Sequence, residues 1–288
     1  MRLAEHPLPP MHSNSLLHKT SMQIYQGEHL GTILNLKIDT SEPCDEVFLD
    51  IQKMIQNFEN RFSRFILWNH LYNINKNSGG ILDNDGVTML QYALRVAHQS
   101  NGLFDPTILP YLRKIGYSAE GYQDCNQNTG YQYIELIGNR LTLHNNVEIE
   151  FWWIGKGYLI DSLAQHLRDQ NYEHFLIDFW WDIWAEWSWE VWLEHPISTD
   201  EIIDIITLTD TALAASSGSK RGFGSYHHII DPRIGISQWS PRASFVLATS
   251  AMIADVHATL FCIMDKREWE VYLGKYGENM DVKIIGTN

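Results

Sequence analysis

The most informative stretch of this chain is His228-Ile-Ile-Asp-Pro-Arg-Ile-Gly235. About one strand and one turn later comes a second segment, Ala254-Asp-Val-His-Ala-Thr259. The first segment places an imidazole and a carboxylate on a tight turn that contains Pro and Gly. The second places Asp255 and Thr259 four residues apart, so both side chains lie on one face of a helix. Two hard oxygen ligands with a histidine nearby predict magnesium-assisted chemistry on a phosphate-bearing ligand.

Each segment also has a purely structural interpretation. Asp231 can cap its own turn, and Gly235 can supply the positive φ that the turn needs. An Asp-x-x-x-Thr pair on a helix is often only a polar edge, or a Thr hydroxyl bonded to its own helix. It is therefore the combination of the two segments that favours a metal-dependent site.

Seven short motifs extend this pattern over most of the chain. They are Leu30-Gly-Thr32, Phe62-Ser-Arg-Phe65, Phe104-Asp-Pro-Thr107, Ile154-Gly-Lys-Gly-Tyr158 with Asp161, Ala215-Ser-Ser-Gly218, the His228 turn and the Asp255/Thr259 helix. Each motif is weak alone, but the set in this order resembles the FAD:protein FMN transferases, the ApbE family. The resemblance implies an α+β fold of the ApbE (T-fold-like) type, with a mixed sheet, packed helices and two intimately joined lobes.

The domain organisation follows from the same comparison. We expect residues 22–288 to form a single domain of this type and residues 1–21 to be a disordered extension. That N-terminal stretch has no apolar run of signal-peptide length and no cysteine that could carry a lipid, which predicts a cytoplasmic protein.

Hydrophobic periodicity predicts several elements directly. Apolar residues recur at helical spacing from Val47 to Phe62 and again from about Asp85 to Ala97. Three short β-like runs follow, 133–137, 140–143 and 147–151, and Gly138-Asn139 is typical of a two-residue hairpin turn. Further along, the pattern indicates a helix at 156–169 and strands at 174–179, 191–193, 202–208 and 244–248. The irregular order of helices and strands is typical of an α+β fold.

Composition limits the classes of function. The net charge of −14 argues against a nucleic-acid-binding surface. The three cysteines, Cys44, Cys125 and Cys262, are far apart and form no CxxC pair, so they indicate neither a zinc site nor a disulfide framework.

The resemblance also implies a set of site residues. Magnesium would be held by Asp255, Thr259 and the main-chain carbonyl of Trp153. FAD would be contacted by eight residues, namely Leu30, Phe65, Leu103, Phe104, Asp105, Glu150, Lys156 and Ile230. His228 matches the histidine on which transfer depends, either as a base or as a group that holds the diphosphate.

The implied activity is the transfer of FMN from FAD to a Ser or Thr hydroxyl of an acceptor flavoprotein, with release of AMP and with Mg²⁺ neutralising the developing charge. The resemblance also implies that the acceptor carries the signature that the family recognises, Asp-x-x-Ser/Thr-Gly-Ala-Thr. Two alternatives stay open. The chain could be a catalytically impaired FAD or flavin binder, or a Mg²⁺-dependent FAD pyrophosphatase in which water replaces the protein hydroxyl.

One departure from the family pattern concerns tryptophan. Eight of the 11 tryptophans fall between Trp152 and Trp192. Six of them stand where the family carries glycine: Trp152, Trp153, Trp180, Trp181, Trp187 and Trp192. Glycine at a ligand site allows close backbone approach or a positive φ, so tryptophan there predicts strain and a partly filled cleft.

Overall fold

The computed structural model describes residues 21–122, 128–195, 201–218, 222–223, 226–237, 243–278 and 280–285. Within these ranges the helices are α1 Asp45–Phe62, α2 His70–Lys76, α3 Asn84–Gln99, α4 Leu109–Lys114, α5 Trp152–Asp169, α6 Ala251–Ile263 and α7 Lys266–Tyr276. The strands are β1 Met22–His29, β2 Thr32–Asp39, β3 Gly79–Ile81, β4 Ile134–Ile137, β5 Arg140–Leu143, β6 Phe175–Phe179, β7 Asp182–Glu194, β8 Ile202–Ser217, β9 Gly222–Phe223, β10 Tyr226–His227, β11 Ile230–Asp231, β12 Ile236–Ser237, β13 Ala243–Ala248 and β14 Met280–Ile285.

A seven-stranded sheet organises the fold. Its order is β1-β2-β6-β7-β8-β13-β14, and every neighbouring pair is antiparallel. Together with the seven helices, this sheet confirms the predicted α+β class.

The two faces of the sheet belong to different cores, because neighbouring side chains on a strand point to opposite faces. On β6, Phe175 and Ile177 join the main core with the helices, whereas Leu176 joins a second cluster. On β8, Ala212 and Ala214 face the main core and Leu213 faces the second cluster. Helices α5 and α6 pack together on the main-core side, and this pair positions the site described below.

Strands β7 and β8 fold back over the second face. A straight strand would separate Asp204 from Ala215 by roughly 35 Å. Ala215 pairs with Phe245, which pairs with Lys283, yet the Lys283 ammonium lies 2.6 Å from the Asp204 carboxylate. The long hairpin must therefore bend, and its register is interrupted between 185 and 188.

Most of the predicted elements are present. Helices α1 and α3 match the two periodic segments, and Gly138-Asn139 is the turn between β4 and β5, with Gly138 at φ 60°. The helix predicted from residue 156 begins earlier, at Trp152, and β8 extends well beyond the predicted 202–208.

The strand predicted at 147–151 is wrong. The Ile149 amide donates to the Asn75 side chain at 2.9 Å, and the Glu150 amide donates to the Pro106 carbonyl at 2.9 Å. These partners replace a strand ladder, so the alternating apolar pattern reflects burial in a loop.

Two predictions, on the N-terminal extension and on the cysteines, concern residues that lie partly outside the described ranges. Of the predicted N-terminal extension, only Ser21 lies inside the described residues, and Cys125 lies outside them. Cys44 and Cys262 are both buried. In the portions of the chain described here, no helix has the length and apolar character needed to cross a membrane.

Candidate functional site

Helix α6, which carries the predicted metal-binding pair, is held at its N-terminus by a carboxylate from α5. Asp161 accepts hydrogen bonds from the Ser250 hydroxyl at 2.7 Å and from the amides of Ala251 and Met252 at 2.7 and 3.0 Å. The first amides of a helix have no acceptor within the helix and form the positive end of its dipole, so a carboxylate stabilises them. Burial raises the pKa of Asp161, and these hydrogen bonds oppose that rise.

Gly157 brings α5 into direct contact with α6. A Cβ atom at this position would lie 2.4 Å from the Ala251 carbonyl oxygen, so only glycine fits without displacement. The Gly157 amide donates to Asp255 Oδ2 at 3.0 Å. In a regular helix the same amide would face the Trp153 carbonyl. The Asp255 carboxylate therefore lies at the amide that a regular helix would pair with the Trp153 carbonyl.

The residues of this pair fit a magnesium ion. Asp255 and Thr259 are both buried, and Ser216 Oγ lies 3.3 Å from Thr259 Oγ1. Carboxylate, hydroxyl and carbonyl oxygens are the hard ligands that Mg²⁺ prefers. The described residues contain no group of three or more His, Cys, Asp or Glu side chains that could hold a metal. The single carboxylate of Asp255, with the Thr259 hydroxyl and the Trp153 carbonyl, suits Mg²⁺, which usually takes one or two carboxylates and keeps positions for water and phosphate.

A cleft beside this pair has about 740 Å³ of empty space, including the part open to solvent. Its lining comprises Trp152, Trp153, Lys156, Trp180, Trp181, Asp182, Glu194, Ala215, Ser216, Ser217, His228, Ala243, Phe245, Asp255 and Thr259. The Lys156 ammonium lies 2.6 Å from Asp182 Oδ2 and donates to the Trp180 carbonyl at 3.3 Å. Because Lys156 is in the first turns of α5, its charge adds to the positive end of the helix, an arrangement that favours phosphate.

His228 reaches the cleft from the turn that the sequence singled out. Asp231 accepts the Arg233 amide at 2.9 Å, and Gly235 has φ 67°, so the structural interpretation of this turn is confirmed. The Arg233 guanidinium binds both oxygens of Asp231 and donates to Glu268 of α7 at 2.7 Å. These contacts fix the His228 turn relative to α7.

A second cavity of about 450 Å³ adjoins the cleft and shares Trp152 and Lys156 with it. It contains three other residues that were predicted to contact flavin, namely Leu30, Phe65 and Glu150. Leu30 lies in the turn between β1 and β2 at φ 51°, and its amide donates to Glu59 at 2.7 Å. The structure thus groups four of the eight predicted flavin contacts around one cavity.

The other four predicted contacts, Leu103, Phe104, Asp105 and Ile230, are buried and line neither cavity. The Phe104 ring lies 5.8 Å from the Trp153 ring, beneath the cleft. Asp105 accepts hydrogen bonds from the Thr107 amide and hydroxyl at 2.8 and 2.6 Å, and burial raises its pKa. Of these four side chains, Phe104 thus packs against a residue that lines the cleft.

Arg64 is a site residue that lies within the motif Phe62-Ser-Arg-Phe65, but the sequence patterns assigned it no role. Its guanidinium lies 4.5 Å from the ring centre of Phe65 and 4.2 Å from those of Tyr117 and Trp152. It also lies 3.5 Å from Glu150, which is buried. Burial raises the pKa of Glu150, and Arg64 opposes this effect. The motif does not show this role because Tyr117, Glu150 and Trp152 are distant from Arg64 in sequence.

The tryptophans fall into two conformational classes. Trp180, Trp181 and Trp187 have φ of 54°, 73° and 66°, a region that costs an L-residue roughly 1–2 kcal/mol. Trp152 and Trp153 instead begin α5, and Trp192 lies within β7. The strain expected from tryptophan at glycine positions is thus present at three of the six.

Comparisons with known proteins agree with this geometry. The model of the ApbE family matches residues 30–284. The FAD:protein FMN transferase of Vibrio cholerae is 24% identical over 276 residues, which cover 85% of this chain and 83% of that protein. The enzyme of the same name from Haemophilus influenzae is 25% identical over 291 residues, covering 89% and 82%.

Solved structures give the same result for the fold. The flavin transferase ApbE from Vibrio cholerae has a TM-score of 0.83 at 21% identity, covering 93% of this chain and 94% of that one. The ApbE protein from Thermotoga maritima has a TM-score of 0.82 at 20% identity, covering 93% and 97%. Because the family model spans the cleft, the second cavity and the large sheet except β1 and the last residue of β14, this chain belongs to the ApbE family.

Proposed function

We propose that this chain transfers FMN from FAD to a Ser or Thr hydroxyl of an acceptor flavoprotein, in a Mg²⁺-dependent reaction that releases AMP. The observation that carries the proposal is the convergence of Asp255, Thr259, Lys156 and His228 on one cleft that continues into an aromatic cavity. Family membership and the names of the relatives support the same activity.

In this proposal FAD would span the second cavity and the cleft. The flavin ring would occupy the cavity lined by Leu30, Phe65 and Glu150. The diphosphate would then extend past Lys156 towards Asp255 and Thr259, where the positive end of α5 also lies. When bound there, Mg²⁺ would neutralise charge on the phosphate oxygens.

The reaction is a displacement at the FMN-side phosphorus. The acceptor hydroxyl oxygen forms the new bond to phosphorus, the bond to the bridging oxygen breaks, and AMP leaves with that oxygen. The hydroxyl proton passes to His228 or to solvent, and in the second case His228 hydrogen-bonds the diphosphate. Lys156 would hold the same phosphates by charge.

Two other functions use the same residues. Water in place of the acceptor hydroxyl would make the chain a FAD pyrophosphatase. The four tryptophans in the cleft favour the second alternative, a flavin binder without turnover, because indole rings occupy space and stack on flat ligands.

Product analysis separates the three functions. The chain would be incubated with FAD and Mg²⁺, with and without an acceptor protein, and AMP, free FMN and bound FMN would be quantified by chromatography. Transfer predicts AMP equal to protein-bound FMN, and only with the acceptor present. Free FMN with AMP in the absence of acceptor would indicate the pyrophosphatase, and FAD retained intact would indicate the binder.

A further inference from the structure

The part of the β7–β8 hairpin beyond its bend presents an outer face to solvent. This part, residues 188–194 and 202–209, is called the folded hairpin below. Val191, Leu193 and Leu208 point inward and are buried in the second core cluster. The alternate residues point outward, where Glu190 pairs with Thr207 and Trp192 pairs with Ile205 across the two strands. Ile205 is 55% exposed.

The hairpin is acidic along its whole length. Residues 182–218 contain eight Asp and Glu and no Lys or Arg. Cations from other elements pair with three of these carboxylates: Lys156 with Asp182, Arg168 with Glu186 and Lys283 with Asp204. Glu190 is exposed on the outer side, and Glu201, just before β8, is also exposed. The outer face therefore combines the indole of Trp192 and the aliphatic side chain of Ile205 with the negative charge of Glu190.

The folded hairpin is continuous with the cleft. Glu194, at the end of β7, lines the cleft together with His228, Asp255 and Thr259. Glu190 lies four residues earlier, which corresponds to roughly 13 Å along an extended strand. If a polypeptide lay on the outer face beside Glu190, a residue only a few positions further along that polypeptide would thus lie inside the cleft.

We propose that the outer face of the folded hairpin docks the acceptor protein through a basic segment next to its modified hydroxyl. The identification of the partner as an acceptor rests on the proposed function, whereas its basic character rests on the charges alone. Lys and Arg suit this face because they pair with carboxylates and stack on an indole ring. An acidic segment would be repelled.

Peptide binding tests the proposal without requiring turnover. Two fluorescein-labelled peptides would carry the Asp-x-x-Ser/Thr-Gly-Ala-Thr acceptor signature, one flanked by lysines and one by glutamates. Their anisotropy would be measured with the full chain, with Glu190→Lys and with Glu270→Lys. Glu270 is exposed on α7, so the second variant makes the same change in net charge on a different surface. FAD binding, followed by flavin fluorescence, reports whether each variant is folded.

The lysine-flanked peptide is expected to bind the unmodified chain more tightly than the glutamate-flanked one. Glu190→Lys should weaken binding of the lysine-flanked peptide about fivefold and improve binding of the other, whereas Glu270→Lys should change neither. Equal binding of the two peptides, or equal effects of the two variants, would overturn the docking surface. Selective binding without FMN transfer would instead count against the proposed function and leave the surface intact.

Discussion

Trp180 and Trp181 form the two-residue turn between β6 and β7, and both have positive φ. Two positive φ values in succession define a type I′ turn, in which Asn-Gly is the preferred pair because a large side chain strains the backbone. Both indoles also line the cleft. The same two residues thus strain the turn and narrow the site.

We therefore predict that Trp180→Asn with Trp181→Gly stabilises the protein and opens the cleft. The free energy of unfolding should rise by about 1–3 kcal/mol, as measured by urea denaturation, because the strain at two positions is relieved. FAD should bind more tightly in a fluorescence titration. Trp187→Gly is the matched control, since it relieves strain outside the cleft and should raise stability alone. Unchanged or weaker FAD binding by the double variant would contradict the prediction.

The opposite result is expected where tryptophan is helical. Trp153 is buried at the start of α5 against Phe104. Trp153→Gly should lower the free energy of unfolding by about 3 kcal/mol or more, because it removes a core side chain and adds a flexible helical residue. Thermal and urea denaturation would both report the loss. If Trp153→Gly stabilised the protein, backbone strain could not be the reason why replacing Trp180 and Trp181 is stabilising.

Arg64 gives a prediction with a defined dependence on pH. Arg64→Ala leaves Glu150 buried without its cation, which should cost about 3 kcal/mol at pH 7. Burial already raises the pKa of Glu150, so the folded state binds this proton more tightly than the unfolded state does. The free energy of unfolding therefore falls as pH rises from the unfolded-state pKa of Glu150 through its folded-state pKa. Losing Arg64 raises this pKa further. The destabilisation should therefore be larger at pH 7 than at pH 5 in urea denaturation, and an equal loss at both values would contradict it.

At the scale of elements, the site depends on how α5 meets α6. Gly157 permits their close approach, and Asp161 satisfies the N-terminus of α6. Together these contacts set the position of Asp255 relative to the first turn of α5. The predicted metal-binding residues Asp255 and Thr259 are thus placed by contacts between helices as well as by their own spacing.

Asp161→Ala should accordingly affect both stability and metal binding. The substitution leaves two amides and a hydroxyl without their acceptor, which should cost about 2 kcal/mol in urea denaturation. Mg²⁺ affinity, measured by calorimetry, should fall as α6 shifts. Asp169→Ala removes an exposed carboxylate from the same helix, where it accepts a hydrogen bond from Gln165 at 2.9 Å, and should change neither quantity. Equal effects of the two variants would refute the role of Asp161.

Local elements were predictable from the sequence for a physical reason. The turn at Gly138-Asn139 and the helical spacing of Asp255 and Thr259 each depend on a few neighbouring residues. The bend of the folded hairpin depends on packing between strands far apart in sequence, so no local pattern encodes it. The loop at 147–151 read as a strand because burial alone produced its apolar alternation. Arg64 was missed because its partners Tyr117 and Glu150 lie more than 50 residues away.

At the scale of the molecule, two cavities and a bent hairpin form one continuous surface. The aromatic cavity adjoins the cleft, and the cleft is lined by Asp255, Thr259 and Glu194 among others. In the proposed reaction the cavity would hold the flavin and the cleft the diphosphate, with the acceptor entering beside Glu194. The fold would then hold the donor and leave an open side for a protein.

Ligand binding should stabilise this arrangement as a unit. FAD at about a hundred times its dissociation constant should raise the free energy of unfolding by roughly 2.7 kcal/mol, and the melting temperature should rise with it. We expect Mg²⁺ to increase this shift for the unmodified chain and not for Asp255→Asn, in which a ligand is lost. A shift equally sensitive to Mg²⁺ in both proteins would place the metal elsewhere.

The most direct test of the central claim is intact-mass spectrometry of an acceptor protein that carries the Asp-x-x-Ser/Thr-Gly-Ala-Thr signature, after incubation with this chain, FAD and Mg²⁺. Our account predicts a mass increase of one FMN, which disappears with EDTA and with His228→Ala. An acceptor that stays unmodified here, while a relative with glycine at the tryptophan positions labels it, would contradict the claim that this cleft supports transfer.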